Sequence, residues 1–242
     1  MQFDNHVIFD PKIPKHKPIF TKILLVLILT MFIVEIYFNA LYSDKAIIIL
    51  GAKWNEGVRH GQYWRFITST FLHGNFFHLF LNMMAIYIFG QELESIFGKI
   101  RFILLIFLSS WGATLSSYIF SPNTAIGASG LVFGIIGATM VFFYKQREEL
   151  SGAILKFKAM YTIAVINLIC GFILPKIDNY AHIGGLITGM TLSWFISPEY
   201  KIEKDETNNK LTVTEKTETP IATCGTLLVT LILYFISKNS TH

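Results

Sequence analysis

Seven apolar runs divide this chain, at residues 20–42, 74–91, 102–120, 129–144, 159–174, 180–197 and 221–237. They leave few folds open. About 20 helical residues cross the roughly 30 Å hydrocarbon layer of a bilayer. The first and third runs have that length, and the others need interfacial residues or local thinning to span. No run alternates with period two as a barrel strand does. Backbone groups in lipid must pair within their own segment, so the runs are read as helices. Composition agrees: 52% of residues are hydrophobic, 15% are charged and mean hydropathy is +0.51, where soluble domains carry about 25% charged residues. The expected fold is an all-α polytopic membrane bundle. The first run lacks a small-residue cleavage site and is read as a retained span.

Charge placement gives an orientation. With the N-terminus cytoplasmic, fourteen of the twenty Lys and Arg residues fall in inner segments, as the positive-inside rule prefers. Residues 43–70 then form one long outer connection. The chain divides into a tail (1–19), a six-helix core (20–198), a charged cytoplasmic linker (199–220) and a seventh helix with a short tail (221–242). Cys170 and Cys224 both lie in apolar runs, so neither a disulfide framework nor a metal site is expected, and no cofactor or nucleic-acid partner is.

Polar residues inside membrane helices are costly and mark function by default. The second run carries His73, His78 and Asn82, the fourth opens with Ser129, the sixth carries His182 and the first carries Glu35. Under the orientation above, runs two, four and six all enter from outside. Ser129 and His182 each stand 16 residues from the end of their helix, roughly 24 Å, and so at one depth. His78 and Asn82, four apart, share a helix face. Gly130 and the pair Gly185 and Gly189 have the small-residue spacing that lets backbones approach.

Each residue has a plain alternative. A serine at a helix start is a natural cap, a glycine pair is commonly packing, Trp64 and Arg65 read as an interfacial anchor, His73 as structural, and Glu92 and Glu94 as solvated or structural. The combination of nucleophile, base and two more polar groups at matching depth is what packing explains poorly. The geometry implies a serine nucleophile activated by histidine. With no Asp or Glu at the depth of His182, it implies a dyad. A transporter would need a polar path to both faces, which the inner halves of runs four and six do not offer; a non-catalytic chaperone would tolerate loss of Ser129.

The motifs GASG at 127–130, HLFLN at 78–82 and AHIGGLITG at 181–189, with YWR at 63–65, resemble the rhomboid intramembrane serine proteases. The likeness covers roughly 60–198, and the helix after a charged linker resembles the family's six-plus-one arrangement. It implies an endopeptidase cleaving transmembrane protein substrates near the outer face of the plasma membrane. Ser129 and His182 are then catalytic, and His78, Asn82 and the Ser129 N–H stabilise the oxyanion. Gly127 lets the backbone bend, and Phe133 stands where the family places an aromatic beside the histidine. Self-association is compatible with this reading.

Overall fold

The computed structural model describes residues 16–174, 177–205 and 210–216. The seventh apolar run lies outside the described residues. Helix α1, Phe20–Tyr42, leads through a 3-10 turn into three short helices, α2 (Ala46–Leu50), α3 (Asn55–Arg59) and α4 (Arg65–Thr68). Helix α5 (Phe76–Ala85) continues through a π turn at Ile86–Gly90 into α6 (Gln91–Phe97), and together they make one 22-residue rod. Then come α7 (Lys99–Phe120), α8 (Ser129–Lys145), α9 (Ala153–Ile173) and α10 (Asn179–Ile196).

Among the described residues, four rods are long and apolar enough to cross a membrane: α1, α5–α6, α7 and α9. Helix α8 has 17 residues and is buried on nearly every face from Gly130 to Phe143. A helix apolar all round belongs in the interior. Surrounded by its neighbours, α8 does not have to match the lipid thickness by itself. The peripheral helices show the opposite pattern. Only 17% of the apolar window of α1, and likewise of α9, is buried, against 44% of α7. The chain is thus a multi-pass membrane protein, apolar outside and packed inside.

Glycine decides how α8 and α10 meet. A methyl group placed on Gly185 would stand 2.0 Å from the Gly130 carbonyl oxygen, and one on Gly189 would stand 2.0 Å from that of Gly134. These contacts are backbone to backbone, so no side chain can move aside to admit Ala. On the other flank a methyl on Gly130 would meet Ala113 Cβ of α7 at 2.4 Å. The glycines that weaken α8 as an isolated helix are the ones that let three helices touch.

Three features depart from the sequence reading. The helical rod ending at Phe97 runs six residues beyond the second apolar run, and α9 begins six residues before the fifth. The extensions carry charge because they pair: Lys156 bonds Glu92, and the Glu94 carboxylate is fully buried. It accepts the N–H groups of Ile19, Phe20 and Thr21 at 2.7–2.9 Å and the Thr21 hydroxyl at 2.7 Å. It therefore satisfies the open N-terminus of α1, where a negative charge also opposes the helix dipole favourably. Finally, the charged segment after α10, read as a linker, carries strand structure. Strands β1 (Glu199–Asp205) and β2 (Lys210–Lys216) pair antiparallel, Glu199 opposite Lys216. Buried Tyr200 anchors the hairpin, its hydroxyl donating to the Ile96 carbonyl at 3.0 Å.

Candidate active site

Three helix starts converge at one end of the bundle. Helix α5 opens under an Asn75 cap, whose side-chain oxygen accepts the His78 N–H at 2.8 Å. Helix α10 opens under Asp178, which accepts the Ala181 N–H at 3.0 Å. Helix α8 opens at Ser129, and its N-cap, Ala128, offers no side-chain acceptor. The N–H of Ser129 donates to nothing among the described residues, and the positive end of the α8 dipole lies there.

Ser129 Oγ stands 2.9 Å from His182 Nε2. The Phe133 ring, one turn along α8, stacks on the imidazole with centroids 4.3 Å apart and planes 15° apart. His182 is buried and Ser129 half-buried, so the hydroxyl is the open side of the pair. His182 Nδ1 is buried without a hydrogen-bond partner. An acid does stand nearer than the sequence reading placed one: Asp178 precedes His182 by one turn. Its oxygens are otherwise engaged, Oδ1 on the Ala181 N–H and Oδ2 on the Ser117 hydroxyl. Among the described residues no carboxylate hydrogen-bonds His182 Nδ1.

Gly127 has φ +119°, and a methyl there would come within 2.5 Å of His78 Cε1. Both facts demand glycine. The bend brings the His78 ring against the backbone just before Ser129. Asn82 is buried on the same face, its amide donating to the His78 carbonyl at 3.1 Å. Neither side chain hydrogen-bonds Ser129 or His182; both line the same end of the bundle. Gly130, Gly185 and Gly189 belong to the helix contacts described above.

Several residues have roles that spacing did not indicate. His73 is fully buried. Its Nε2 accepts the Ala128 N–H at 3.4 Å, and its ring packs edge-on against His78 at 5.1 Å. Glu35 bonds within the bundle: one oxygen accepts the His73 N–H at 2.8 Å and the other is buried without a partner. Arg65 is a buried staple rather than a surface anchor. It donates to the carbonyls of Ile48 and Ala52, both at 2.8 Å, and to Gln62 Oε1 at 2.7 Å, with the rings of Trp64 and Trp54 beside it. Trp64 itself stays exposed. Lys53 is buried whole in the same loop.

Among the described residues no three His, Cys, Asp or Glu side chains stand close enough to hold a metal ion. A cleft of about 310 Å³ lies at the opposite end of the bundle, beside Tyr144, Lys145, Trp194 and Tyr200, away from Ser129.

Comparison with known proteins fits this geometry. The family model of the rhomboid domain matches residues 60–199, more than half of the chain. Over 174 residues the chain is 34% identical to rhomboid protease GluP of Bacillus subtilis (strain 168), covering 72% of this chain and 34% of that protein. It is 35% identical over 156 residues to mitochondrial RHOMBOID-like protein 6 of Arabidopsis thaliana, covering 64% and 50%. Inactive RHOMBOID-like protein 8 of the same plant is 30% identical over 191 residues, covering 74% and 54%. The chain thus spans between a third and about half the length of these relatives. With the domain match running from the loop before α5 through α10, and with the helix starts that carry Ser129 and His182 inside it, the chain belongs to the rhomboid family.

Proposed function

We propose that the chain is an intramembrane serine endopeptidase that hydrolyses peptide bonds in or near transmembrane helices of other membrane proteins. The 2.9 Å contact between Ser129 Oγ and His182 Nε2 carries this reading. An alcohol is a weak nucleophile at neutral pH and needs an adjacent base. In the neutral ring with its proton on Nδ1, Nε2 accepts the Ser129 proton as Oγ attacks the scissile carbonyl. The imidazolium then protonates the leaving amine, and water repeats the cycle on the acyl-enzyme. Phe133 keeps the ring in the plane this transfer needs.

The tetrahedral intermediate places negative charge beside the start of α8. The free Ser129 N–H and the helix dipole favour it there. His78 and Asn82 are the side-chain donors on the opposite wall; Asn82 releases the His78 carbonyl to reach it. The reaction end lies beside the loop between α1 and α5, which faces the extracytoplasmic side of the plasma membrane when the N-terminus is cytoplasmic. The hairpin end, with Lys145, Arg147 and Lys156, then faces the cytoplasm, as the positive-inside rule prefers. A substrate helix must unwind locally to present its carbonyl, so helix-weakening residues near the cut favour cleavage.

A non-catalytic role in holding client helices has one observation in its favour, the inactive relative. The retained serine–histidine contact favours the enzyme. The test is the full chain in liposomes with a single-span reporter substrate. Cleavage by the wild type that disappears in Ser129→Ala and in His182→Ala, with fluorophosphonate labelling confined to Ser129, is the expected result. A wild type that holds the reporter uncut and resists the probe assigns the chain to the holding role.

A further inference from the structure

Lys53 is a cation that the proposed reaction does not use. It lies between α2 and α3 with its side chain fully buried. Its ammonium donates to Asn55 Oδ1 at 3.1 Å, to the Ser121 carbonyl at 3.0 Å and to the Asn123 carbonyl at 2.5 Å. An ammonium has three hydrogens and no acceptor, so three oxygens use it completely. Ser121 is the C-cap of α7, where carbonyls lack helical partners and the dipole end is negative. Asn55 reinforces the contact, its amide donating to the Ser121 carbonyl at 3.1 Å.

The backbone of Lys53 grips the same segment. Its N–H donates to the Ala125 carbonyl at 2.9 Å, and the Ala125 N–H donates back at 3.0 Å. Two residues later the Gly127 N–H donates to the Ser69 carbonyl at 2.9 Å. The stretch leading to Ser129 is thus tied to the loop from both ends. Asp178, the cap of the helix that carries His182, attracts the Lys53 ammonium and accepts the Ser117 hydroxyl from α7.

We propose that Lys53 is a positioning residue: its ammonium ties the Ser121 and Asn123 carbonyls to the loop, beside the backbone pairing of Lys53 with Ala125, and so keeps Ser129 within reach of His182. This rests on the reading of that pair as catalytic.

The charge state of Lys53 makes the role measurable. Burial pulls its pKa down to about 8, and Asp178 only partly opposes this. Of the other charges in the same loop, the Arg65 guanidinium donates to the carbonyl of Ala52, next to Lys53, and Glu56 and Arg59 on α3 pair with each other at 3.3 Å on an exposed face. Deprotonation leaves two hydrogens for three oxygens and turns a lone pair toward an acceptor. Activity therefore falls as pH rises through about 8. Stability moves the other way. An unfolded lysine keeps its proton to about pH 10.4, so between the two values the unfolded chain binds more protons, and Lys53 favours the fold increasingly as pH rises. A purely structural lysine does not lower activity in that window.

The experiment reads kcat, KM and thermal midpoint for the full chain in liposomes from about pH 6.5 to 9.5. Wild type is expected to lose kcat with a one-proton midpoint near 8, at steady KM and without a matching fall in thermal midpoint. Lys53→Arg, whose guanidinium keeps its proton, loses that alkaline limb. Lys53→Met shows about tenfold lower kcat at neutral pH, from the misplaced nucleophile, and no limb. If the arginine packs badly and silences the enzyme, the methionine variant and the wild type still decide. A wild type without the limb, an arginine variant with the wild-type limb, or a methionine variant with wild-type kcat at neutral pH overturns the assignment. A wild type that neither cleaves nor reacts at Ser129 at any pH removes the catalytic reading and this one with it.

Discussion

Phe133 and His182 lie face to face at 4.3 Å, and the ring nitrogen away from Ser129 has no partner to orient it. A histidine held by a carboxylate has a second anchor, whereas here the phenyl face is the anchor. An aromatic pair is worth about 0.5–1.5 kcal/mol beyond its buried area. If that energy is lost from the productive ring orientation, Phe133→Ala lowers kcat by about 2- to 13-fold. KM stays near the wild-type value, and Phe133→Tyr keeps the stack and the rate. Steady-state cleavage of the reporter measures both. At this scale the sequence was informative where polar residues were rare. Ser129, His182, His78 and Asn82 stood out because lipid makes each one expensive, and equal helix lengths brought the first two to one depth. The partners of the buried charges were not legible. Glu35, Lys53, Arg65 and Glu94 each bond backbone groups distant in the chain, and a backbone N–H or carbonyl leaves no mark in the sequence.

At the scale of elements, the contact between α8 and α10 is made by backbone, and so it is intolerant of any side chain. Gly189→Ala forces a methyl against the Gly134 carbonyl. Overpacking of this kind costs about 1–3 kcal/mol, and the separation it causes also draws His182 from Ser129. The expected outcome is a lower thermal midpoint together with lost cleavage, measured on the same reconstituted sample. Glu94→Ala tests the other end. It leaves three N–H groups of α1 without their acceptor, at a cost of about 2 kcal/mol or more. Because Glu94 is at the end away from Ser129, the midpoint falls while kcat of the surviving folded fraction holds. Small-residue spacing announced the first contact. Apolar runs gave the helices but not their ends, since α5–α6 and α9 extend through charged turns whose pairing, Lys156 with Glu92 and Glu94 with α1, is tertiary.

The whole molecule poses a question of sides. Its two ends differ in kind. One holds the loop between α1 and α5, the three helix starts and the Ser129–His182 pair; the other holds the α8–α9 turn and the β1–β2 hairpin, with Lys145, Arg147 and Lys156 close by. Under the orientation proposed above, the end where these cations concentrate stays cytoplasmic, as the positive-inside rule prefers, and the end with Ser129 faces out. Exposed positions at each end make this measurable. Arg59, in the loop, and Glu148, in the opposite turn, both extend into solvent. With Cys170 and Cys224 changed to Ser, Arg59→Cys in intact cells reacts with a membrane-impermeant maleimide, and Glu148→Cys reacts only after permeabilisation. The reverse pattern places the reaction end in the cytoplasm. The proposed catalytic pair would survive that result, because the 2.9 Å contact does not depend on which side water enters from. The class of cleavable bonds would change instead, from those near the outer end of a substrate helix to those near its inner end.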